Sequence, residues 1–325
     1  MDTIRLRLDP WPGDYDGALQ IEELLEQQAA EIDATVETST WAMIPSRADK
    51  SRPEKLVFVD GVRRIDARVL GETDSGEIVY GMFGSLAAGA VEVVASKAVI
   101  DDAIVRRYLV LGSNHCPDPE AFQIGDALIT FDPYSTADTA PTGPMLALQN
   151  LMRSEEAKLA EEMEASGACV FADGPLNYFS GLKHGTVGII KRLHQPYIPS
   201  SKFALLSKLQ PGERTPIFAI LDGKYDRYAW YLRLAEPRAL DYGVAGIIRL
   251  EVRTGVGIEE AVKSASTSAA CLPAFASDPC RDPRSPQNLV PVGALEQELR
   301  RRMGDSMLIR RGIEKRLYET VGHER

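Results

Sequence analysis

The sequence has few cysteines, no long apolar run and no excess of positive charge. Its four cysteines, in 325 residues, form no Cys-x-x-Cys pair, which argues against a zinc site or a disulfide framework. No apolar stretch approaches the roughly 18 residues of a membrane span, and MDTIRLRLDPWPGDYD lacks the basic-then-apolar order of a signal peptide. We therefore expect reduced thiols, a cytoplasmic location and no membrane contact.

The charge balance is acidic, with 37 Lys and Arg against 47 Asp and Glu and a net charge of -10. This argues against a protein that coats nucleic acid through a general positive field, and it predicts weak DNA binding by the isolated chain. The GxSxG nucleophile motif and the GxxxxGK[ST] phosphate loop are both missing. The chain is therefore expected neither to form an acyl-enzyme nor to hydrolyse ATP itself.

The hydrophobic and charged fractions, 44% and 26%, are those of an ordinary folded protein. Helical spacing predicts an acidic amphipathic helix over 16–33, within an N-terminal helix and linker region at 1–54. Three strands are expected at Lys55–Asp60, Arg63–Leu70 and Glu77–Gly84, and the turn-rich GETDSG joins the last two.

We interpret 85–143 as an insertion into a domain that covers 55–325. The insertion is expected to hold a strand at Val91–Val94, a helix around 99–106 and a strand at Tyr108–Leu111.

Thr142 and Pro144 predict the start of a long helix that runs to about Glu164, where Gly167 ends it. A short strand, Ala168–Ala172, follows. Later segments are expected to form strands at Thr186–Lys191, Pro216–Leu221, Tyr228–Leu234 and Gly246–Val252, a helix near 257–270, and two C-terminal helices.

Two apolar strands end in an aspartate followed by glycine, at Asp60 and Asp173. A single Asp-Gly is usually a turn, and Asp222-Gly223 is interpreted as one. Three meandering strands, a helix and a further strand are, however, the order of an RNase H-like α/β fold, in which the first and fourth strands are neighbours. Acids 113 positions apart (173 - 60) then converge, as a site for two divalent cations about 3.5–4 Å apart requires.

The intervening helix is expected to supply another carboxylate. At about 100° per residue, Glu155 and Glu156 each lie roughly 50° from the centre of its apolar stripe, on opposite sides. Helical geometry does not choose between them.

The order of these motifs resembles the NurA nuclease family, the partners of HerA-type DNA-translocating ATPases. The resemblance extends over roughly 55–312 and depends on short phrases in order: FVDG, RSEEAKLA, FADGPL, VGIIKR, IIRLEV and PQNLVPVGALEQELRRRMGD. It implies an RNase H-like mixed sheet flanked by helices, with insertions and a helical C-terminal segment. It also implies a homodimer that degrades DNA with Mn²⁺ or Mg²⁺ during end resection and docks on a hexameric ATPase.

The resemblance also assigns residues. Asp60 and Asp173 match metal-binding aspartates, and Glu156, with Glu155 in reserve, matches the helix acid. Lys191, followed by Arg192, is expected to contact DNA phosphates. Where the family has a C-terminal histidine, this chain has Glu296, so that either Glu296 is the last ligand or the site is incomplete.

The sequence is compatible with two other functions. The altered C-terminal position is compatible with a catalytically weak adaptor that binds a hexameric DNA translocase. An RNase H-like enzyme that acts on RNA or on hybrids is the other alternative.

Overall fold

The computed structural model describes residues 5–8, 30–46, 53–95, 97–179, 185–191, 197–237, 243–278, 280–282 and 284–322. Within these ranges, twelve strands join in one mixed sheet. The strands are β1 Arg5–Leu8, β2 Glu31–Asp33, β3 Lys55–Glu72, β4 Ile78–Val94, β5 Lys97–Leu111, β6 Glu120–Ile124, β7 Ala127–Ser135, β8 Cys169–Asp173, β9 Val187–Ile190, β10 Phe218–Leu221, β11 Arg227–Arg233 and β12 Ile247–Arg253.

The sheet has the order β2-β10-β11-β12-β9-β8-β3-β4-β5-β7-β6, and β1 also pairs with β3. Strands β3, β4 and β5 form a long antiparallel meander. On the other side of β3, β8 pairs parallel with β3 and β9 pairs parallel with β8, whereas β12 is antiparallel to β9. The first meander strand and the strand after the long helix are therefore neighbours.

The helices are α1 Gly143–Ala165, α2 Ser200–Phe203, α3 Ile258–Cys271, α4 Val290–Arg302 and α5 Ser306–Gly322. Helix α1 begins with Pro144 in its first turn, and Gly167 follows its end with φ +86°, a conformation that glycine adopts without strain. No helix in the described ranges has both the length and the apolar character needed to cross a membrane.

The two faces of the sheet are covered by different helices. Val57 and Val59 of β3 pack with Leu159 of α1, whereas Phe58 and Leu56 pack in a second cluster with α3 and α4. Because side chains alternate along a strand, position 60 faces the α4 side of the sheet and position 61 faces the α1 side.

The predicted α/β class is confirmed, with a mixed sheet, flanking helices and a helical C-terminal segment. The GETDSG hairpin and the Asp222-Gly223 turn are also confirmed, since each joins two antiparallel strands. The division into 1–54 and 55–325 remains a prediction.

Three secondary-structure predictions are wrong. The segment 99–106 was expected to be a helix but lies within β5, because pairing with β4 suits its β-branched residues. The break after Asp60 is absent, because β3 pairs with β4 through Gly61, opposite Ala88. Of the predicted helix 16–33, Glu31–Asp33 pairs with β10 instead, while 16–29 lies outside the described residues.

Candidate active site

Asp60 and Asp173 come together through the register of β3 and β8. The two strands pair in parallel, with Val59 opposite Ala172, so that each aspartate occupies the next position along its strand. Strand β8 ends at Asp173, and Gly174 turns the chain away with φ +106°. Since β8 stops there, the edge of β3 beyond Asp60 is left without a partner from that strand.

Glu296 of α4 supplies a third carboxylate next to Asp60 and Asp173. Asp60, Asp173 and Glu296 each offer an oxygen atom, and these atoms lie within 4.8 Å of one another. Arg284 Nη1 donates to both Glu296 oxygens, at 2.7 and 2.9 Å. The described structure therefore places Glu296 beside the two aspartates with its carboxylate oriented by an arginine.

Asp60 is the most buried of the three, with 4% of its surface exposed. The Gly61 amide donates to its Oδ1 at 2.8 Å, while its buried Oδ2 has no hydrogen-bond partner among the described residues. Burial raises the pKa of Asp60 well above its usual range, and Asp173, Glu156 and Glu296 raise it further, against a lowering by Lys191. Such a group is stabilised by a proton or by a cation.

The donor set fits a hard divalent cation. Its members are carboxylate oxygens from two strands and one helix, the ligand type that Mg²⁺ and Mn²⁺ prefer. The unsatisfied Asp60 oxygen is consistent with a ligand of this kind.

The two acids on α1 point in opposite directions. Glu155 binds Lys158 at 2.9 Å and Arg106 of β5 at 3.4 Å. Glu156 turns towards β3, where a Cβ atom added at Gly61 would overlap its carboxylate. Glu156 thus approaches from the α1 side of the sheet and raises the pKa of Asp60, but it lies outside the group of three carboxylates.

Arg153 joins the helix to the end of β8. Its Nη1 donates to Glu156 Oε2 at 2.9 Å and to the Asp173 carbonyl oxygen at 2.5 Å. A Cβ at Gly174 would meet the same guanidinium group at 2.6 Å. Arg153 was not predicted, although its i,i+3 spacing from Glu156 in RSEE was a usable signal.

Lys191 follows β9 and binds Asp173 Oδ2 at 2.7 Å. It also donates to Asn288 Oδ1 at 2.7 Å, and Asn288 Nδ2 donates to Asp282 Oδ2 at 2.6 Å. Asp282 in turn binds Arg284. A continuous chain of polar contacts therefore runs from Asp173 round to Glu296.

Arg192, predicted together with Lys191, lies outside the described residues. Asn288, which is completely buried, and Arg284 were not predicted. No local pattern identifies them, because their roles arise from the approach of a loop to β9 and α4.

Comparison with protein-family models gives no match, and comparison with curated proteins gives none either. Among solved structures, the NurA nuclease from Sulfolobus solfataricus aligns with a TM-score of 0.45 and 10% sequence identity, over 96% of this chain and 94% of that chain. The catalytic domain of human Endonuclease V aligns with a TM-score of 0.37 and 14% identity, over 79% of this chain and 85% of that chain.

Proposed function

We propose that this chain is a divalent-metal-dependent DNA nuclease, a hydrolase of phosphodiester bonds. The observation that carries the proposal is the convergence of Asp60, Asp173 and Glu296 from three elements, around an Asp60 oxygen that is buried without a hydrogen-bond partner. Assembling like charges in a buried place is unfavourable, and a bound cation offsets that cost.

Asp60, Asp173 and Glu296 would hold Mn²⁺ or Mg²⁺, with Glu156 as the further carboxylate from the α1 side. A two-metal site supplies an activated water and stabilises the charge on the leaving 3′-oxygen. The side chains of Asp173 and Glu296 are 20% and 15% exposed, so that a phosphodiester would approach the site from their side.

The protein's own cations position the reacting groups. Lys191 holds Asp173 at 2.7 Å, and its ammonium group is proposed to contact a substrate phosphate, with Arg192 as its expected companion. Arg153 orients Glu156 and the end of β8 together. Arg284 would hold Glu296 until a metal ion competes for that carboxylate.

The finer proposal follows the resemblance to the NurA family in the sequence. It is a 5′-3′ exonuclease, with single-strand endonuclease activity, that acts in DNA end resection and repair as a cytoplasmic homodimer. A HerA-type hexameric ATPase supplies the ATP-driven movement, consistent with the missing phosphate loop in this chain.

Digestion of single- and double-stranded DNA by the pure protein with Mn²⁺ tests the proposal. The wild type should degrade DNA, while Asp60→Ala and Asp173→Ala should lose activity and Glu155→Gln should retain it. Equal activity in all four preparations would show that Asp60 and Asp173 do not form a nuclease site. Substrates of RNA and of RNA-DNA hybrid show which sugar the enzyme accepts.

A second candidate function is the catalytically weak adaptor of a hexameric DNA translocase. One observation favours it, the binding of both Glu296 oxygens by Arg284. In that case metal would not stabilise the wild type against unfolding, and no DNA would be cleaved, although the hexameric partner would still bind.

A further inference from the structure

Two positively charged side chains lie over the ring of Tyr225, which is in the turn between β10 and β11. The Tyr225 ring has Lys224 Nζ at 4.9 Å from its centroid and Arg253 Cζ at 5.4 Å. Lys224 is exposed and Tyr225 is half-buried. In a chain with a net charge of -10, this local concentration of positive charge needs a physical reason.

Neither cation has a carboxylate partner in the described part of the chain. Arg253 is 6% exposed, its buried Nε has no hydrogen-bond partner there, and its Nη2 makes one long bond, 3.4 Å, to the Lys224 carbonyl. Burying an unpaired charge is expensive. An anion at this position would offset that cost.

The neighbouring strand β11 adds another positive charge next to Arg253. Arg227 of β11 lies directly opposite Arg253 of β12, and like charges in that relation are destabilising. Arg227 is compensated by Asp222 at 2.9 Å and by Glu251 at 3.4 Å. Arg253 has no equivalent carboxylate among the described residues.

The register of β12 sets the face of the sheet on which Arg253 lies. Glu251 pairs with Gly188, which pairs with Ala172 opposite Val59, and Val59 packs against α1. Because side chains alternate along a strand, Glu251 and Arg253 face the α1 side of the sheet, the side from which Glu156 approaches. The side chains of Asp60 and Asp173 face the α4 side.

We infer that Lys224, Tyr225 and Arg253 form a subsite for a backbone phosphate of a nucleic-acid strand on the α1 face of the sheet. The identity of this ligand rests on the proposed function. A guanidinium group matches the geometry of phosphate oxygens, and an aromatic ring beside it suits the adjoining base.

The test measures equilibrium binding of a fluorescent 12-nucleotide single-stranded DNA in EDTA, at several low salt concentrations. Without metal there is no cleavage, so the readout does not depend on activity. Arg253→Gln and Lys224→Gln should each weaken binding about tenfold and should each reduce the slope of log affinity against log salt by about 0.7. Arg253→Lys should restore the slope.

Arg310→Gln is the matched control, because Arg310 lies on α5 and already pairs with Glu314 at 3.0 Å; its salt slope should equal that of the wild type. Lys224 is exposed, so its variant keeps the test valid if Arg253→Gln does not fold. Unchanged slopes in the Lys224 and Arg253 variants, or no binding by the wild type, would overturn the subsite. If the variants show reduced slopes but the wild type cleaves no DNA with Mn²⁺, the result would contradict the proposed nuclease activity and still support the subsite.

Discussion

Asp60 and Asp173 lie side by side because β3 and β8 are parallel and the pair Val59-Ala172 immediately precedes them. One carboxylate oxygen from each aspartate and one from Glu296 lie within 4.8 Å of one another. In the metal-free protein this arrangement crowds three acids at one buried place. The same arrangement that is proposed to bind metal is therefore expected to destabilise the fold when no metal is bound.

Asp60→Asn should raise the stability of the metal-free protein at neutral pH. The folded-state pKa of Asp60 is raised, mainly by burial, so its contribution to stability is complete at low pH and is lost as pH rises through the folded-state pKa. Removing the charge should recover on the order of 1 kcal/mol. Thermal unfolding with EDTA measures this gain.

The same variant should lose the stabilisation that Mn²⁺ gives the wild type, because ligand binding to the folded state raises the melting temperature. Unfolding with and without Mn²⁺ provides the comparison. A variant that is less stable than the wild type in EDTA would contradict the electrostatic account.

Glu156→Gln and Glu155→Gln form a matched pair on adjacent helix positions. Glu156 lies against Gly61, so its loss should weaken the metal response and activity by roughly 10- to 100-fold. Glu155 is buried, but its partners Lys158 and Arg106 are 66% and 46% exposed, so its loss should cost on the order of 1 kcal/mol and leave activity nearly unchanged. Nuclease rates against Mn²⁺ concentration distinguish the two, and equal losses would show that Glu156 has no special role.

These two glutamates also show how far sequence reasoning extends. Strand order was enough to predict that Asp60 and Asp173 would be neighbours, because that relation depends on topology. The choice between Glu155 and Glu156 depends on Gly61, which has no side chain to fill the space where the Glu156 carboxylate lies. Helical periodicity contains no information about that partner.

The wrong predictions have a related cause. Asp60-Gly61 has the local pattern of a turn, yet pairing with β4 extends β3 over 18 residues. The contact of Asn288 with Lys191 joins positions 97 residues apart in the chain. Such tertiary pairings have no local signature in a single sequence.

Asp282 should give the protein a measurable acid sensitivity. Burial raises its pKa, but hydrogen bonds from Arg284 and Asn288 outweigh burial and lower the pKa to about 2. Because the folded-state pKa is depressed, Asp282 stabilises the fold above its ordinary pKa of 3.8, and this contribution is lost as pH falls towards 2. Because Arg284 is 50% exposed and solvent screens the pair, the loss should be on the order of 1 kcal/mol.

Urea unfolding at several pH values between 5 and 2.5 measures the acid sensitivity. Asp282→Asn should show a shallower fall in the free energy of unfolding over this range than the wild type does. Asp278→Asn, in the same loop but without an ion pair to Arg284, is the control. Parallel curves for the wild type and Asp282→Asn would contradict the prediction.

Gly61→Ala tests the position of Glu156 without touching a carboxylate. Alanine is acceptable in a strand, but its Cβ would overlap the Glu156 carboxylate and displace it from β3. A displacement of about 1 Å at a reacting site can cost about 100-fold in rate, so activity should fall far more than stability. Gly185→Ala is the control, since its added Cβ meets Glu164 Oε1 at an ordinary 3.5 Å. Nuclease rate and melting temperature are measured together, and a fully active Gly61→Ala enzyme would exclude Glu156 from the proposed site.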